Sequence, residues 1–526
     1  MIFRSPYPDV QIPDIPLTPF VLRHADRLAD KVAIVDGLTG HGFTYAELAA
    51  AVGMVASALA KRGLRKGDVF AIYAPNSPEY VIAFHAVVSL GGIVTAVNPA
   101  ATSEELADQL IDAGATYLLT AAENLDRAIA AASESSVREL FVFGAIPGYT
   151  SFSTLLCGAD SMPVVPIRAS EDVAALPYSS GTTGLPKGVM LTHANLVANV
   201  AQLAGSQSVS EQDTLIGLIP FFHSYGLTVL MNYALAVGAT IVTLPRFELE
   251  QFLQTVESYG VTFAPLAPPT IVTLAKHPAV DNYDLSRLQV IVSGGAPLGA
   301  DVTNACGIRV GCHVKQGFGL TEASPVTHIC PTERASAKPG SIGRLVANTE
   351  CRIVDPESGV ELGPDQPGEL WIRGPQIMKG YFRRPEATAL TITSDGWLRT
   401  GDLGFADEDG FFTIVDRLKE MIKYKGHQVA PAELEAILLS HPAVADAAVI
   451  RTPDEEAGEL PKAFVVLRCE ATADDLMAFV ATQVAPYKKI RRLEFIDQIP
   501  KSASGKILRR ILVERERAAC ADPVLV

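Results

Sequence analysis

Eleven consecutive residues, Tyr178-Ser179-Ser180-Gly181-Thr182-Thr183-Gly184-Leu185-Pro186-Lys187-Gly188, combine four Ser/Thr hydroxyls, three glycines and a lysine directly after the apolar Ala174-Ala175-Leu176. Glycines let backbone N–H groups approach phosphate oxygens, hydroxyls add donors and a lysine supplies charge. The chemistry this composition serves is phosphate binding. It is not a Walker loop, because Lys187 lies three residues beyond Gly184 and is followed by Gly188 rather than a hydroxyl residue. Composition alone suits a flexible linker equally well. The basic clusters Lys488-Lys489-Ile490-Arg491-Arg492 and Lys501 to Arg510, near the end of the chain, suit a small polyanion.

The elements that must position the loop show a repeating pattern. Val69 to Tyr73 reads as a strand, Pro75 to Glu79 as a helix start, Gly91-Gly92 as its stop and Ile93 to Val97 as the next strand. Thr214 to Leu244 repeats the unit: apolar Leu215 to Ile219, a turn at Pro220 to His223, a helical run to Val237, Gly238, then strand Thr240 to Leu244. Two such units predict an α/β chain with two doubly wound subdomains whose parallel sheets gather ligands at the carboxyl ends of strands. From about Gly340 to Asp416, turn pairs such as Ser358-Gly359, Pro367-Gly368, Asp395-Gly396 and Asp409-Gly410 predict short hairpins and a small β-barrel-like part. After it, a helix from Pro431 to His441 and strands Val444 to Ile450 and Lys462 to Leu467 predict a separate small α+β domain. The division expected is a large domain, residues 1–416, and a small one, residues 417–526, with the boundary at Asp416 to Lys419.

The chain has 526 residues, 48% of them hydrophobic, enough for more than one core. A formal charge of -15 argues against a general nucleic-acid or membrane-surface role, since both partners are anionic. The acidity is confined to residues 1–417, for residues 418–526 carry sixteen basic and sixteen acidic side chains. Seven scattered cysteines without a Cys-x-x-Cys pair imply a reducing compartment and no zinc site, and the first residues lack a signal-peptide pattern, so a cytoplasmic protein is expected. Tyr80 to Val97 tempts a membrane assignment, but His85, Ser89 and Gly91-Gly92 interrupt it, and it reads as buried helix plus buried strand.

With its order of residues taken into account, the loop from Tyr178 to Gly188 resembles the phosphate-loop signature of the adenylate-forming superfamily of acyl-CoA ligases, luciferases and peptide-synthetase adenylation domains. Further signatures follow in family order. Phe221-Phe222-His223 resembles the aromatic gate, Gln316-Gly317-Phe318-Gly319-Leu320-Thr321-Glu322 the adenine and magnesium motif, and Thr400-Gly401-Asp402 the ribose motif. Asp416-Arg417-Leu418-Lys419-Glu420 resembles the hinge, Ile422 to Gly426 the segment after it, and Pro500 to Lys506 the carboxy-terminal lysine loop. The resemblance spans nearly the whole chain and is greatest to 4-coumarate:CoA ligases.

It implies an ATP-dependent ligase that forms acyl-AMP and then acyl-CoA, using ATP, Mg2+ and coenzyme A. By resemblance, Ser179, Ser180, Gly181, Thr182, Thr183, Gly184 and Lys187 hold the phosphates, Thr321 touches the α-phosphate and Glu322 binds Mg2+. A single carboxylate together with substrate phosphates is a usual magnesium site. Gly295, Ala296 and Pro297, with Gln316, Gly317, Phe318 and Gly319, are expected around the adenine, Asp402 and Arg417 at the ribose, and His223 as a gate beside the carboxylate. Phe318 stands where the family usually has tyrosine, which keeps stacking and loses a hydroxyl. Lys506 is the expected catalytic cation, because attack of a carboxylate on a phosphate brings two anions together. For thiolation the small domain is expected to turn about Leu418-Lys419 and present Lys423, Lys425, Gly426 and Gln428 to CoA. His427 replaces a phenylalanine common in coumarate ligases.

The implied acyl pocket is lined by Ser224, Tyr225, Thr228, Gly294, Gly295, Gly317, Gly319, Pro325 and Val326. No aspartate follows Phe221-Phe222-His223 to bind an α-ammonium, which disfavours amino acids. Val292 and Pro265 stand where coumarate ligases commonly have lysine and methionine, which favours a purely apolar tail, so aryl-propenoic acids and medium or long fatty acids are both expected. Three competing readings are a ligase that loads a carrier protein, a luciferase-like oxidation of the adenylate and a non-catalytic nucleotide-binding module. Gly401 to Lys419 shows no extra segment of the kind that blocks rotation in carrier-loading ligases, and Lys187, Glu322 and Lys506 argue against a non-catalytic module.

Overall fold

A computed structural model describes residues 1–158, 162–179, 186–333, 338–425, 427–454, 456–502 and 505–521, with side chains as far as Arg517. Every residue of strand Val69–Tyr73 is buried, as an unbroken apolar run requires of a strand covered on both faces. It pairs in parallel with Ile93–Ala96 on one side and Ala115–Thr120 on the other. Between the first two, helix Pro78–Ser89 begins where the Ser77 hydroxyl accepts the Tyr80 N–H, with Pro78 preset for the first turn. Tyr80 to Val97 is thus a buried helix followed by a strand, and among the described residues no helix is long and apolar enough to cross a membrane.

The sheet built on Val69–Tyr73 has nine strands and includes Tyr178–Ser179, Lys187–Thr192 and Gly380–Tyr381 at one side. A second nine-stranded sheet runs His313–Gly319, Val290–Ser293, Phe263–Leu266, Thr214–Gly217, Thr240–Thr243, Val32–Asp36, all parallel, with antiparallel strands at both edges. The contribution of Val32–Asp36 is not evident from the repeat, because that strand lies far from its partner in sequence. The helical run after the His223 turn differs in kind from the expected helix. Residues Gly226–Asn232 wind as a π-helix before the α-helical Tyr233–Ala236, and the Asn232 side-chain amide donates to the Leu227 carbonyl at 2.8 Å. Only glycine fits at its start, since a Cβ on Gly226 would stand 2.1 Å from the Pro220 carbonyl oxygen. The turn and the wide helix are thereby pressed together, a feature often found at functional sites.

A third sheet, Phe3–Arg4, Glu350–Val354, Gly368–Arg373, Leu398–Ala406 and Phe412–Arg417, is antiparallel throughout. Phe3 on its first strand meets Phe412 on its last, ring centroids 5.6 Å apart, so the sheet curls towards a barrel around Cys351, Ile353, Leu370 and Ile372. After Arg417 the chain enters a different sheet, whose centre is the hairpin Val444–Asp454 with Gly458–Leu467. That hairpin is longer than expected: Arg451 to Asp454 lacks apolar character yet keeps register up to Asp454 opposite Gly458. Ile422, Val429, Leu434, Leu438, Val449, Val465 and Leu476 form its own core.

Candidate active site

Three groups of expected site residues lie where the sheets meet. In the first, Glu322 occupies a short turn after strand His313–Gly319 and is buried. Its Oε1 accepts a hydrogen bond from the Tyr381 hydroxyl at 2.9 Å. The Lys187 ammonium lies 5.2 Å from the centre of the Tyr381 ring. Tyr381 was not singled out by sequence, where it is one aromatic beside a glycine; pairing of Gly380–Tyr381 with Lys187–Thr192 brings it here.

In the second group, the turn after Thr214–Gly217 sets His223 with its Nδ1 accepting the Tyr225 backbone N–H at 3.2 Å. That bond places the proton of the neutral ring on Nε2. Burial, then the positive charge of Lys506, lowers the imidazole pKa to about 4, so the ring is neutral at pH 7. The Ser224 and Thr321 hydroxyls are 3.4 Å apart, and Thr228 donates to the Ser324 carbonyl at 2.6 Å. Tyr225 donates to the Val292 carbonyl at 2.9 Å and its ring covers Gly294, where an added Cβ would be 2.9 Å from the ring carbon Cε1. Leu320 N–H bonds the Pro325 carbonyl at 3.0 Å, and Val326 N–H bonds Asn199 Oδ1 at 3.0 Å. Tyr225 and Gly294 thus meet directly, and Ser224 and Thr228 reach the turn Thr321 to Ser324.

The third group joins the two ends of the chain's functional segments. Asp402 is buried and Arg417 Nε stands 3.2 Å from its Oδ1, while Oδ2 has no hydrogen-bond partner among the described residues. Burial raises this carboxyl to about 6, against the opposing pull of Arg417 and Lys506. An orphaned buried oxygen of this kind is a vacant acceptor for a ligand hydroxyl. Lys506 lies near enough to Asp402, Arg417, Glu420 and Arg509 to feel their charges. Its pKa falls to about 8, by burial first and by Arg417 next. Lys506 N–H donates to the Ser502 hydroxyl at 3.1 Å, and the preceding Gly505 rests on the large domain against Pro269 and Ala267.

Charge pairs that the sequence does not announce hold this arrangement. Arg509 pairs with Glu420 and, at 2.7 and 2.8 Å, with both oxygens of Glu435. Asp416 Oδ2 accepts the Ala432 N–H at 2.9 Å, and the Leu418 N–H bonds the Gly401 carbonyl at 2.9 Å. Pairing between charges so far apart in sequence leaves no periodic signal, so only the fold reveals it.

The remaining expected residues divide. Gln316 Oε1 accepts the Leu298 N–H at 3.2 Å, tying the strand to the loop Gly295-Ala296-Pro297, which follows strand Val290–Ser293 at its carboxyl end. Gly317 and Gly319 lie on strand His313–Gly319, and Phe318 packs against His328, centroids 5.8 Å apart. Ser179 ends strand Tyr178–Ser179, and the Tyr178 hydroxyl donates to Asp112 at 2.7 Å. Ser180, Gly181, Thr182, Thr183, Gly184 and Gly426 lie outside the described residues. Lys423, Lys425 and Gln428 are exposed on a hairpin of the small domain, with Lys425 paired to Glu456 at 2.5 Å. Among the described residues no hydrogen bond or ion pair joins these three to the large domain. They are not assembled with His223 and Lys506.

Among the described residues no group of three or more His, Cys, Asp or Glu could hold a metal by itself. Glu322 offers one carboxylate whose Oε1 is already oriented by a tyrosine. That donor set fits Mg2+, a hard cation that keeps waters and takes most of its oxygens from substrate phosphates.

Residues 21–382 match the family model described as AMP-binding enzyme, and residues 433–506 match the AMP-binding enzyme C-terminal domain. The chain is similar to 4-coumarate–CoA ligase 1 of Petroselinum crispum, 44% identical over 99% of this chain and 98% of that protein. Among solved structures it resembles an anthranilate CoA ligase in complex with anthranoyl-AMP, at TM-score 0.89 and 27% identity over 97% of this chain and 98% of that one. It also resembles the ATP-bound MatB from Rhodopseudomonas palustris, at TM-score 0.86 and 30% identity over 95% and 99%.

Proposed function

The chain belongs to the AMP-binding enzyme family, and from that premise we propose how its residues divide the work of an ATP-dependent acid:CoA ligase. The overall reaction is acid, ATP and CoA to acyl-CoA, AMP and pyrophosphate, in two half-reactions at one site. The observation that carries the assignment of residues is that Gly505, beside Lys506, abuts Pro269 and Ala267 while Arg417 stands 3.2 Å from Asp402, so that Lys506 feels the charges of both and bears on His223. Asp402 offers its free Oδ2 to the ribose and Arg417 orients that carboxylate. Lys506 balances the charge that gathers as the acid's oxygen attacks the α-phosphate. Neutral His223 keeps its Nε2–H towards the carboxylate without adding a charge. Lys187, with Ser179 and the loop after it, serves the phosphates, and Thr321 and Ser224 border the reacting centre. Mg2+ bound through Glu322 would draw charge from the phosphates. Lys423, Lys425, Gly426 and Gln428 serve CoA after rotation about Leu418-Lys419, so residues 1–416 act as the fixed domain and 417–526 as the mobile one. The six cysteines whose side chains are described are free thiols, which suits a cytoplasmic enzyme.

For the acid, we favour an aryl-propenoate of the 4-coumarate type, on the similarity to 4-coumarate–CoA ligases over 99% of the chain and the aromatic wall that Tyr225 lays on Gly294. The buried Val292 supports a fatty acid as the second reading. With ATP, Mg2+ and CoA, cinnamates should give pyrophosphate and thioester at higher kcat/KM than acids from octanoate to palmitate. A preference for palmitate would reverse the choice, and acyl-adenylate without any thioester would point to a carrier protein as acceptor.

The charges set a pH profile. Adenylation needs Asp402 ionised and Lys506 protonated, so kcat/KM should rise as pH passes about 6 and fall as it passes about 8. Asp402→Asn should raise KM for ATP, remove the acid limb and move the alkaline one to lower pH, since Lys506 loses a neighbouring negative charge. An acid limb that persists in the variant would assign it to another group.

A further inference from the structure

The strap Met378 to Phe382 crosses between the two halves of the phosphate site and is bonded to both. Met378 N–H donates to the Glu322 carbonyl at 2.9 Å, Lys379 N–H to the Met190 carbonyl at 3.0 Å and Phe382 N–H to the Gly188 carbonyl at 2.8 Å. Midway along it, Tyr381 is 6% exposed, with its hydroxyl on Glu322 and its ring facing the Lys187 ammonium. The ring cannot swing away freely: its backbone pairs with Val189, its N–H donates to the Thr388 hydroxyl at 2.9 Å, and its face packs within the main core. One rigid side chain therefore touches both the cation assigned to the phosphates and the carboxylate assigned to the metal.

The Tyr381 O–H donates to one carboxylate oxygen of Glu322, which fixes the carboxylate plane, while its π-face bears on the Lys187 ammonium through a cation–π contact. We propose that Tyr381 is a positioning residue for MgATP, one that presets Glu322 for the metal and steadies Lys187 at the phosphates. This rests on the reading of Glu322 and Lys187 given above.

The two functions of the side chain are separable. Tyr381→Phe keeps the ring beneath Lys187 and removes only the bond to Glu322; Tyr381→Leu removes both. Binding of Mn2+ to the enzyme–ATP complex, read by electron paramagnetic resonance, and the Mg2+ dependence of ATP–pyrophosphate exchange are measured on full-length protein beside Glu322→Gln. Thermal melting confirms that each variant is folded. Tyr381→Phe is expected to weaken Mn2+ binding and raise half-saturating Mg2+ by about tenfold, as loss of one bond to a charged group implies. Its kcat at saturating Mg2+ should change no more than about threefold. Tyr381→Leu should in addition raise KM for ATP at saturating Mg2+ by roughly fivefold. If Glu322→Gln weakens Mn2+ binding and Tyr381→Phe does not, Tyr381 is only a packing residue and the proposal fails by itself. If Glu322→Gln leaves Mn2+ binding intact, Glu322 is not the metal carboxylate, and the proposal falls together with the reading on which it stands.

Discussion

Replacing Lys506 by alanine is expected to slow acyl-adenylate formation by about a thousandfold while leaving thioester formation from supplied acyl-adenylate within a few-fold of the parent rate. The asymmetry follows from geometry. Lys506 faces Asp402, Arg417 and His223 from the small domain, whereas Lys423, Lys425 and Gln428 are exposed elsewhere on that domain. One arrangement cannot present both sets to the same carbonyl. The first half-reaction pushes a carboxylate against a phosphate and needs a positive charge there. In the second, CoA's sulfur displaces AMP from an acyl group that is already activated. ATP–pyrophosphate exchange measures the first half-reaction, and CoA consumption from synthetic acyl-adenylate the second. Equal losses in both would mean that Lys506 serves a single arrangement throughout. Its alanine variant should stay folded, since the loop is held by the Ser502 contact and by Arg509 on Glu420 and Glu435.

Sequence motifs singled out most of the candidate site residues, and the reason is physical. Phosphate and metal contacts fall on turns at the carboxyl ends of strands, and turns are written in short runs of Gly, Pro, Asp and Ser/Thr that a chain displays locally. Pro220 to His223, after strand Thr214–Gly217, is such a run, whereas Thr400-Gly401-Asp402 lies inside strand Leu398–Ala406. The parallel units Val69–Ala96 and Thr214–Thr243 were likewise announced by apolar runs and glycine stops. What stayed hidden depends on contacts between distant segments. Strand Val32–Asp36 pairs in parallel with Thr240–Thr243, far along the chain. Tyr381 meets Glu322 across 59 positions, and Arg509 meets Glu420 across 89. The wide helix after His223 was also hidden, because apolar periodicity cannot separate a π-turn from an α-turn when every residue from Gly226 to Asn232 is buried.

The strongest test of the domain arrangement leaves Lys506 in place. Gly505 has φ of +81°, and a Cβ there would stand 3.1 Å from Pro269 Cδ and 3.2 Å from Ala267 Cβ. Neither neighbour can yield easily. Pro269 is a rigid ring in the first turn of helix Pro268–Lys276, and Ala267 immediately precedes that helix. Any larger side chain must therefore lift the small domain's loop off the large domain, and the next residue along is the lysine. Gly505→Val should lower adenylation about a hundredfold, because displacement of a catalytic charge by about 1 Å is enough for a loss of that size. Thiolation of supplied acyl-adenylate should hardly change, since the loop would then be turned away from Pro269. The variant would reproduce the asymmetry of Lys506→Ala with its lysine intact. Adding Pro269→Ala should restore part of the rate by opening space under the new side chain, and the double-mutant cycle measures that coupling. A Gly505→Val enzyme with parental adenylation would show that contact between Gly505 and Pro269 is dispensable when Lys506 acts, and the closed arrangement would lose its claim to be the reactive one.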